Sequence, residues 1–196
     1  MAETAIAHSE LIVGGQKSGK SRRAQDLAEA WLMGGEGRRS LLIATALATD
    51  DEMRSRIVRH QADRERQLPQ MVTVEEALAL PERIMQHSRP DTLVVVDCLT
   101  LWLTNLCWPG HRVHLPAGQE APDAACALDA LLGALRSAPG PLVLVSNEIG
   151  LGVIPMGREV RQFVDTLGLL NQRVGAACAR VTLMAAGLPL PLKNCP

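Results

Sequence analysis

Aromatic side chains are scarce in this sequence: its 196 residues include one Phe, three Trp and no Tyr. This scarcity argues against a protein that stacks nucleic-acid bases on aromatic platforms. An excess of charge of one sign is also missing, because 20 basic and 21 acidic residues leave a net charge of −1. Balanced charge argues against a nucleic-acid footprint and against a polybasic membrane anchor. We therefore expect no nucleic-acid partner.

Paired cysteines and long apolar runs are lacking as well. The five cysteines are odd in number and form no Cys-x-x-Cys pair, so we expect reduced thiols that act as small apolar residues. The longest apolar runs are shorter than a membrane span, and residues 1–10 hold no signal-peptide hydrophobic segment. The sequence predicts a cytoplasmic protein without a membrane span, with one domain over residues 1–196.

What the sequence does contain is an alternation of short apolar runs with helix-like stretches, which predicts an α/β fold with helices on both faces of a mostly parallel sheet. The predicted strands are Glu10–Val13, Ser40–Ala44, Thr92–Val96, Leu142–Ser146 and Arg180–Ala185. The predicted helices are Lys20–Leu32, Asp50–Arg66, Glu75–Gln86, Pro122–Ser137 and Glu159–Cys178.

Three segments fall outside this alternation. Gly187–Lys193 alternates around two prolines and predicts an antiparallel edge strand, where missing N–H donors are tolerated. Residues 1–9 are expected to form a disordered or extended tail. Pro109–Gln119 mixes Pro, Gly and His and predicts a surface loop.

The most informative motif matches Gly-x-x-x-x-Gly-Lys-[Ser/Thr] and directly follows the apolar run Leu11–Val13. A loop of this kind points backbone N–H groups at phosphate oxygens beside a helix N-terminus. Lys20 would reach the β- and γ-phosphates, and the Ser21 hydroxyl would bind Mg²⁺. The alternative, a Gly-rich turn that binds nothing, does not explain why every signature position is filled. The predicted nucleotide-binding residues of this P-loop are Gly14, Gly15, Gln16, Lys17, Ser18, Gly19, Lys20 and Ser21.

A carboxylate residue follows the apolar run Thr92–Val96. Asp97 ends this predicted strand in the manner of a Walker-B acid, so we expect it near Mg²⁺. Many strands end in Asp for solvation alone, but the P-loop favours the functional interpretation. Thr100, at the start of the following helix or turn, is a candidate contact to substrate.

The stretch Asp50–Arg66 carries a histidine among several arginines. Thr49 and Glu52 fit a capping box, and Met53, Ile57 and His60 share one helix face. From the residues alone, His60 is either a nucleophile or acid–base group near phosphate, or a half-buried histidine on a solvated basic helix.

Polar residues also follow the strand Leu142–Ser146. Asn147 and Glu148 lie at the end of the sheet where ligands bind in open α/β folds, which makes them candidate substrate or metal contacts. The alternative is a turn built by Asn and Gly.

Read together, these blocks resemble one family. The matching segments are Gly14–Ser21, Ile43–Thr45, Asp51–Met53 with Arg56–His60, Asp97–Asn105, Ser146–Pro155 and Asn171–Val174. They resemble the bifunctional adenosylcobinamide kinase / adenosylcobinamide-phosphate guanylyltransferase family of cobalamin biosynthesis. The resemblance implies a P-loop NTPase-type three-layer fold and a homotrimer.

The resemblance also implies two reactions with GTP and ATP as nucleotide substrates and Mg²⁺ as cofactor. A nucleoside triphosphate first phosphorylates adenosylcobinamide. GTP then gives its GMP to the resulting phosphate through a GMP–histidine intermediate, which yields adenosylcobinamide-GDP and pyrophosphate.

By position in the family motif the histidine is His60, with Lys20 as the second catalytic residue. The resemblance adds Thr45, Arg64 and Glu76 to the nucleotide site. The chain departs from the family in lacking an Arg-Pro pair and a Trp between His60 and Met71. Two other functions fit the P-loop: a monofunctional small-molecule kinase, and a non-catalytic or switch-type ATPase.

Overall fold

A seven-stranded sheet forms the middle layer of the protein. The computed structural model describes residues 6–108 and 121–194. The strands are β1 (Ser9–Gly14), β2 (Arg39–Ala44), β3 (Met71–Glu75), β4 (Thr92–Asp97), β5 (Leu142–Asn147), β6 (Arg180–Ala185) and β7 (Leu188–Asn194). The helices within these residues are α1 (Lys20–Met33), α2 (Asp51–Gln67), α3 (Leu80–His87), α4 (Leu99–Cys107), α5 (Ala124–Ser137) and α6 (Arg158–Ala177).

The strand order of the sheet is β3-β2-β4-β5-β1-β6-β7. All neighbours pair in parallel except β6 and β7, which are antiparallel. This arrangement confirms the predicted α/β fold and the antiparallel strand at the C-terminal edge. Because β5 lies between β1 and β4, the carboxyl ends of these three strands meet at one edge of the sheet.

The two faces of the sheet bury separate apolar clusters. On one face, Ile12, Val95 and Val143 pack against α1 through residues such as Leu27. On the other face, α3, α4, α5 and α6 cover the sheet around the fully buried Trp102. Burial on both faces explains why β1, β4 and β5 are nearly continuous apolar runs rather than alternating ones. Alternate residues of each of these strands therefore pack into different apolar clusters, one on each face of the sheet.

One predicted helix is wrong at its start. The helix expected from Glu75 begins at Leu80. Glu75 is instead the last residue of the edge strand β3. The side chains of β3 are half-buried or exposed, with Val72 at 59% exposure. A strand that is so short and exposed lacks the apolar run by which the other strands could be predicted. The residues after Cys98, expected to begin a helix or a turn, form α4.

The C-terminal hairpin is tied to the rest of the fold at both of its ends. Ala186 and Gly187 form its turn with positive φ angles of 52° and 80°, and the Gly187 N–H donates to the Ser18 carbonyl at 3.0 Å. Near the other end, the Lys193 ammonium donates to three carbonyls in the last turn of α6 and just beyond it, at 2.6–3.2 Å. The hairpin thus contacts the P-loop directly.

Some predicted segments fall wholly or partly outside the described residues. These are the surface loop Pro109–Gln119 and residues 1–5 of the predicted tail. The rest of the predicted tail leads directly into β1, which begins at Ser9. Among the described residues, no helix has the length and apolar character needed to cross a membrane.

Candidate active site

The P-loop connects β1 to α1 and leaves amide groups for an anion. Gly19 is the N-cap of α1 and adopts a φ of 103°, which favours glycine, and no side chain caps the helix. The first-turn N–H groups are therefore available to phosphate. The Lys20 ammonium donates to the carbonyls of Gly14 (3.0 Å) and Gly15 (2.6 Å). Burial lowers the pKa of Lys20, against the opposing effects of Cys98 and Asp97.

Close packing holds the P-loop against the C-terminal hairpin. A Cβ on Gly14 would lie 2.5 Å from the Met184 carbonyl oxygen, and a Cβ on Gly19 would lie 3.2 Å from the Cα of Gly187. Glycine at position 14 is thus required by backbone contact, independently of any ligand. A Cβ on Gly15, by contrast, would meet nothing within 4 Å.

The structure brings the two predicted metal ligands together. The Ser21 hydroxyl donates to a carboxylate oxygen of Asp97 at 3.1 Å. A hydroxyl and a carboxylate suit Mg²⁺, which prefers oxygen ligands and takes few of them from protein when phosphates supply the rest. No cluster of three or more His, Cys, Asp or Glu side chains in metal-binding arrangement occurs among residues 6–108 and 121–194. The hydroxyl of Ser21 and the carboxylate of Asp97 thus have the chemistry that a Mg²⁺–nucleotide site would use.

His60 and Arg64 lie across a small cavity from these ligands. The cavity is lined by residues of α1, α2 and the sheet: Ser21, Ala24, Gln25, Leu42, His60, Arg64, Met71, Val95 and Asp97. His60 is exposed, whereas the Nε of Arg64 is buried and has no hydrogen-bond partner. Burial lowers the pKa of Arg64, and Asp97 is the strongest of the carboxylates that oppose this effect. An unpartnered guanidinium nitrogen beside the P-loop can serve as a phosphate donor.

Helix α2 brings His60 to the site but is weakly anchored. None of its residues is fully buried. Its N-cap is Asp50, whose side chain accepts from the Met53 N–H at 2.7 Å, so the predicted cap at Thr49 was one residue early. Because residues four apart share a helix face, His60 and Arg64 both point into the cavity.

Thr45 takes a different position from that expected of a nucleotide ligand. It is fully buried, and its hydroxyl donates to the Cys98 carbonyl (2.7 Å) and accepts from the Cys98 N–H (2.9 Å). The Thr45 N–H donates to the Asp97 carbonyl at 3.2 Å. Thr45 thus fixes the backbone that directly follows the Asp97 side chain, and its direct contact with nucleotide stays a prediction.

The Glu76 carboxylate is occupied by contacts within the protein. It accepts from the N–H groups of Leu78 (3.0 Å) and Ala79 (2.9 Å) and from Arg83 Nε (2.9 Å). Burial raises the pKa of Glu76, but these hydrogen bonds and the Arg83 charge outweigh that effect and leave the pKa below its usual value. Glu76 thus holds the turn that precedes α3, and its part in nucleotide recognition stays a prediction.

Hydrogen bonds with α4, α6 and β1 hold the end of β5. The Asn147 N–H donates to the Thr100 hydroxyl at 2.8 Å, and the Asn147 carbonyl accepts from the Asn171 side chain at 3.0 Å. The Glu148 N–H donates to the Gly14 carbonyl at 3.0 Å, and its carboxylate accepts from the Gly150 N–H at 2.7 Å. The three residues predicted to contact substrate, Thr100, Asn147 and Glu148, thus lie beside the P-loop. The Thr100 hydroxyl already accepts a hydrogen bond from Asn147.

Two residues of the site carried no predicted role. Gln25 lines the His60 cavity, and its position four residues after Ser21 on α1 is the signal that points to it. Asn171 belongs to a family-like segment of the sequence, but its contact with Asn147 spans 24 positions. No local pattern reveals such a contact.

Comparison with known proteins identifies the family. Residues 10–192 match the family model described as cobinamide kinase / cobinamide phosphate guanyltransferase. The chain belongs to this family. The match confirms the resemblance drawn from the sequence motifs, and it spans both the P-loop and the His60 helix of this cobinamide kinase / guanyltransferase chain.

Individual relatives cover nearly the whole chain. The bifunctional adenosylcobalamin biosynthesis protein CobP of Pseudomonas aeruginosa is 43% identical over 95% of this chain and 98% of its own length. The protein named bifunctional adenosylcobalamin biosynthesis protein CobU in Escherichia coli is 34% identical over 93% of this chain and 98% of its own. The CobU protein of Salmonella typhimurium is 33% identical over the same shares.

A solved structure shares the fold alone. The flagellar accessory protein FlaH of Methanocaldococcus jannaschii superposes with a TM-score of 0.50 at 10% identity, over 97% of this chain and 80% of that one. At so low an identity the likeness speaks for the three-layer arrangement and not for a shared activity.

Proposed function

We propose that this chain phosphorylates adenosylcobinamide with a nucleoside triphosphate and then transfers GMP from GTP to the phosphate it has made. The observation that carries the proposal is the cavity shared by Ser21, Asp97, His60 and Arg64. A P-loop with its metal ligands suffices for a kinase. A histidine facing the same cavity supplies the nucleophile that a kinase does not need.

Phosphoryl transfer uses the P-loop half of this site. The hydroxyl oxygen of adenosylcobinamide bonds to the γ-phosphorus, the bond from that phosphorus to the β–γ bridging oxygen breaks, and the hydroxyl proton passes to water. Lys20 and the loop amides hold the β- and γ-phosphates and stabilise the charge that develops on them. Mg²⁺, held by Ser21 and Asp97, would neutralise phosphate charge when bound.

Guanylyl transfer adds the α2 half of the site. A nitrogen of the neutral His60 imidazole bonds to the α-phosphorus of GTP, and pyrophosphate leaves with the electron pair of the broken α–β bond. An oxygen of adenosylcobinamide phosphate then bonds to the same phosphorus, and the bond to His60 breaks. Two in-line displacements predict overall retention at phosphorus. We expect Arg64, whose buried Nε has no hydrogen-bond partner, to bind the α-phosphate beside His60.

The proposal is tested by incubating the protein with GTP labelled on the α-phosphate and separating it under denaturing conditions. We expect an acid-labile, alkali-stable label on the wild type and its loss, by about 100-fold or more, in His60→Ala. His87→Ala is the matched control, because His87 lies in the last turn of α3 and does not line the His60 cavity; it should label like the wild type. Equal labelling of the wild type and His60→Ala would show that His60 is not the nucleophile. A wild type that binds GTP but takes up no label would leave a monofunctional kinase as the better interpretation.

Mg²⁺ dependence, a homotrimeric assembly and a cytoplasmic location belong to the same proposal. The trimer is supported by the family resemblance and by an apolar segment that the chain leaves uncovered. Leu151, Val153, Ile154 and Met156 are 77–96% exposed beside the β5 end of the site. Large exposed apolar patches of this kind mark contact surfaces. Light scattering on the purified protein would give the trimer mass or overturn it.

A further inference from the structure

The end of β5 places a side-chain amide between the P-loop and the metal-binding carboxylate. In the sheet order, β5 lies between β4, which ends at Asp97, and β1, which ends at Gly14. Asn147 is the register partner of Gly14, whereas Asp97 is the partner of Val145. Adjacent strands are about 4.8 Å apart. Asn147 therefore extends two residues past Asp97, toward the position where a terminal phosphate would lie.

The alternation of side chains along β5 sets the face on which Asn147 lies. Val143 and Val145 belong to the apolar cluster under α1, as does Val95 on β4. Because side chains two apart share a face of a strand, Asn147 and Asp97 both point to the α1 side, where Lys20 and Ser21 begin the helix. Ser146 points to the opposite face, where its hydroxyl lies 3.5 Å from that of Thr100.

The Asn147 backbone is fixed while its side chain has no partner in the described part of the chain. Its N–H and carbonyl are bound by Thr100 and Asn171, and the next N–H is bound by Gly14. The hydrogen bonds of Asn147 to the described residues involve its backbone alone, and the residue is half-buried. A rigid backbone with an uncommitted carboxamide is the arrangement expected of a preorganised ligand contact.

We propose that the Asn147 carboxamide donates a hydrogen bond to the γ-phosphate of the bound nucleoside triphosphate, and that it is a catalytic residue for phosphoryl transfer. This inference deepens the proposed function and rests on it. The γ-phosphoryl group moves from the β–γ bridging oxygen to the hydroxyl oxygen of the corrinoid, so a donor at Asn147 touches the reacting group in that step. In guanylyl transfer His60 attacks the α-phosphorus, which is at the opposite end of the triphosphate chain from the γ-phosphate. Asn147 should thus serve one reaction more than the other.

The test compares Asn147→Ala with Ser146→Ala, a neighbouring variant whose side chain faces the other way. Affinity is measured for GDP and for a non-hydrolysable GTP analogue with a β–γ imido group. We expect Asn147→Ala to weaken binding of the analogue by about 10-fold, the worth of one hydrogen bond to a charged group, and to leave GDP affinity unchanged. Ser146→Ala should change neither affinity. Equal effects of Asn147→Ala on both ligands, or on neither, would overturn the proposal.

Activity gives a second and separate readout. Transfer of γ-label from ATP or GTP to adenosylcobinamide should fall by about 10- to 100-fold in Asn147→Ala, while the rate of α-label transfer to His60 at saturating GTP should stay within about 3-fold of the wild type. A parallel loss of both activities would point to a general structural role and against our assignment. If the wild type shows neither activity, the proposed function fails, whereas the affinity comparison still decides the Asn147 contact.

Discussion

The hydroxyl of Ser21, at the start of α1, donates to a carboxylate oxygen of Asp97, at the end of β4, over 3.1 Å and 76 positions of sequence. The contact brings together two oxygen groups that the sequence motifs assign to the same ion. In a protein that binds Mg²⁺ with its nucleotide, these two groups are the ones the ion would draw on.

Asp97→Asn should therefore uncouple nucleotide binding from Mg²⁺. The amide keeps the shape of the carboxylate and can still accept from Ser21, so the fold should persist, but its charge is gone. We expect Mg²⁺ to strengthen GTP binding to the wild type by about 10-fold or more, and to change it little in the variant, since the proposed carboxylate ligand of the ion is lost. Titration of a fluorescent GTP analogue with and without Mg²⁺ measures this. A variant that responds to Mg²⁺ like the wild type would remove Asp97 from the metal site.

Adjacent P-loop glycines should respond differently to alanine. At Gly14 a Cβ would lie 2.5 Å from the Met184 carbonyl oxygen, whereas at Gly15 it would meet nothing within 4 Å. Gly14→Ala should lower the free energy of unfolding by about 1–3 kcal/mol, as overpacking does, and Gly15→Ala should leave it within about 0.5 kcal/mol. Urea unfolding without nucleotide measures both. Equal stabilities would show that β6 can move away from the loop.

Glu76 should make stability depend on pH in the acid range. Its folded pKa lies below the ordinary value of 4.5, so its charge stabilises the native state above that pH, and this contribution is lost as the pH falls through the folded pKa. Glu76→Gln keeps an acceptor for the Leu78 and Ala79 amides but loses the charge. The stability difference between wild type and Glu76→Gln should be largest near neutral pH and shrink below about pH 4.5. Glu76→Ala should cost about 1–2 kcal/mol through the loss of these hydrogen bonds.

The measurement is thermal or urea unfolding of the three proteins between pH 3 and pH 7. A difference between wild type and Glu76→Gln that stays constant over this range would contradict the assignment. It would mean that the carboxylate pKa is the same in the folded and unfolded chain.

The sequence predicted those parts of the fold whose residues carry strong local patterns. The strands β1, β4 and β5 are buried on both faces, so their apolar runs mark them clearly. The P-loop and Asp97 were predictable because phosphate and metal chemistry restrict the residue types at a fixed spacing. The exposed edge strand β3 has no such pattern, and the whole strand, Met71–Glu75, was missed.

Contacts that depend on tertiary structure could not be predicted in the same way. The carboxylate of Glu76 was expected to help bind nucleotide, but its hydrogen bonds with Leu78, Ala79 and Arg83 depend on where α3 begins. The bond from Asn171 to the Asn147 carbonyl joins α6 to β5, and no spacing in the sequence encodes it. The role of Lys193 is of the same kind, since the carbonyls it binds lie 15 or more positions away.

Lys193 provides a last prediction, because its ammonium closes the C-terminal end of α6. The group donates to the carbonyls of Gly175, Ala176 and Cys178 at 3.2, 2.8 and 2.6 Å, where the helix leaves acceptors unpaired and the dipole favours a cation. Lys193→Met keeps much of the aliphatic stem and removes the charge. We expect the free energy of unfolding to fall by about 1–2 kcal/mol, the range of hydrogen bonds to a charged group reduced for partial exposure.

Arg136→Met is the matched control, because Arg136 is an exposed cation in the last turn of α5 and its loss should cost less than about 0.5 kcal/mol. Urea unfolding of both variants separates a specific cap from a general effect of charge. If Lys193→Met were as stable as the control, β7 would be held by its pairing with β6 alone. In that case the contact between Lys193 and α6 would make no measurable contribution to the free energy of unfolding.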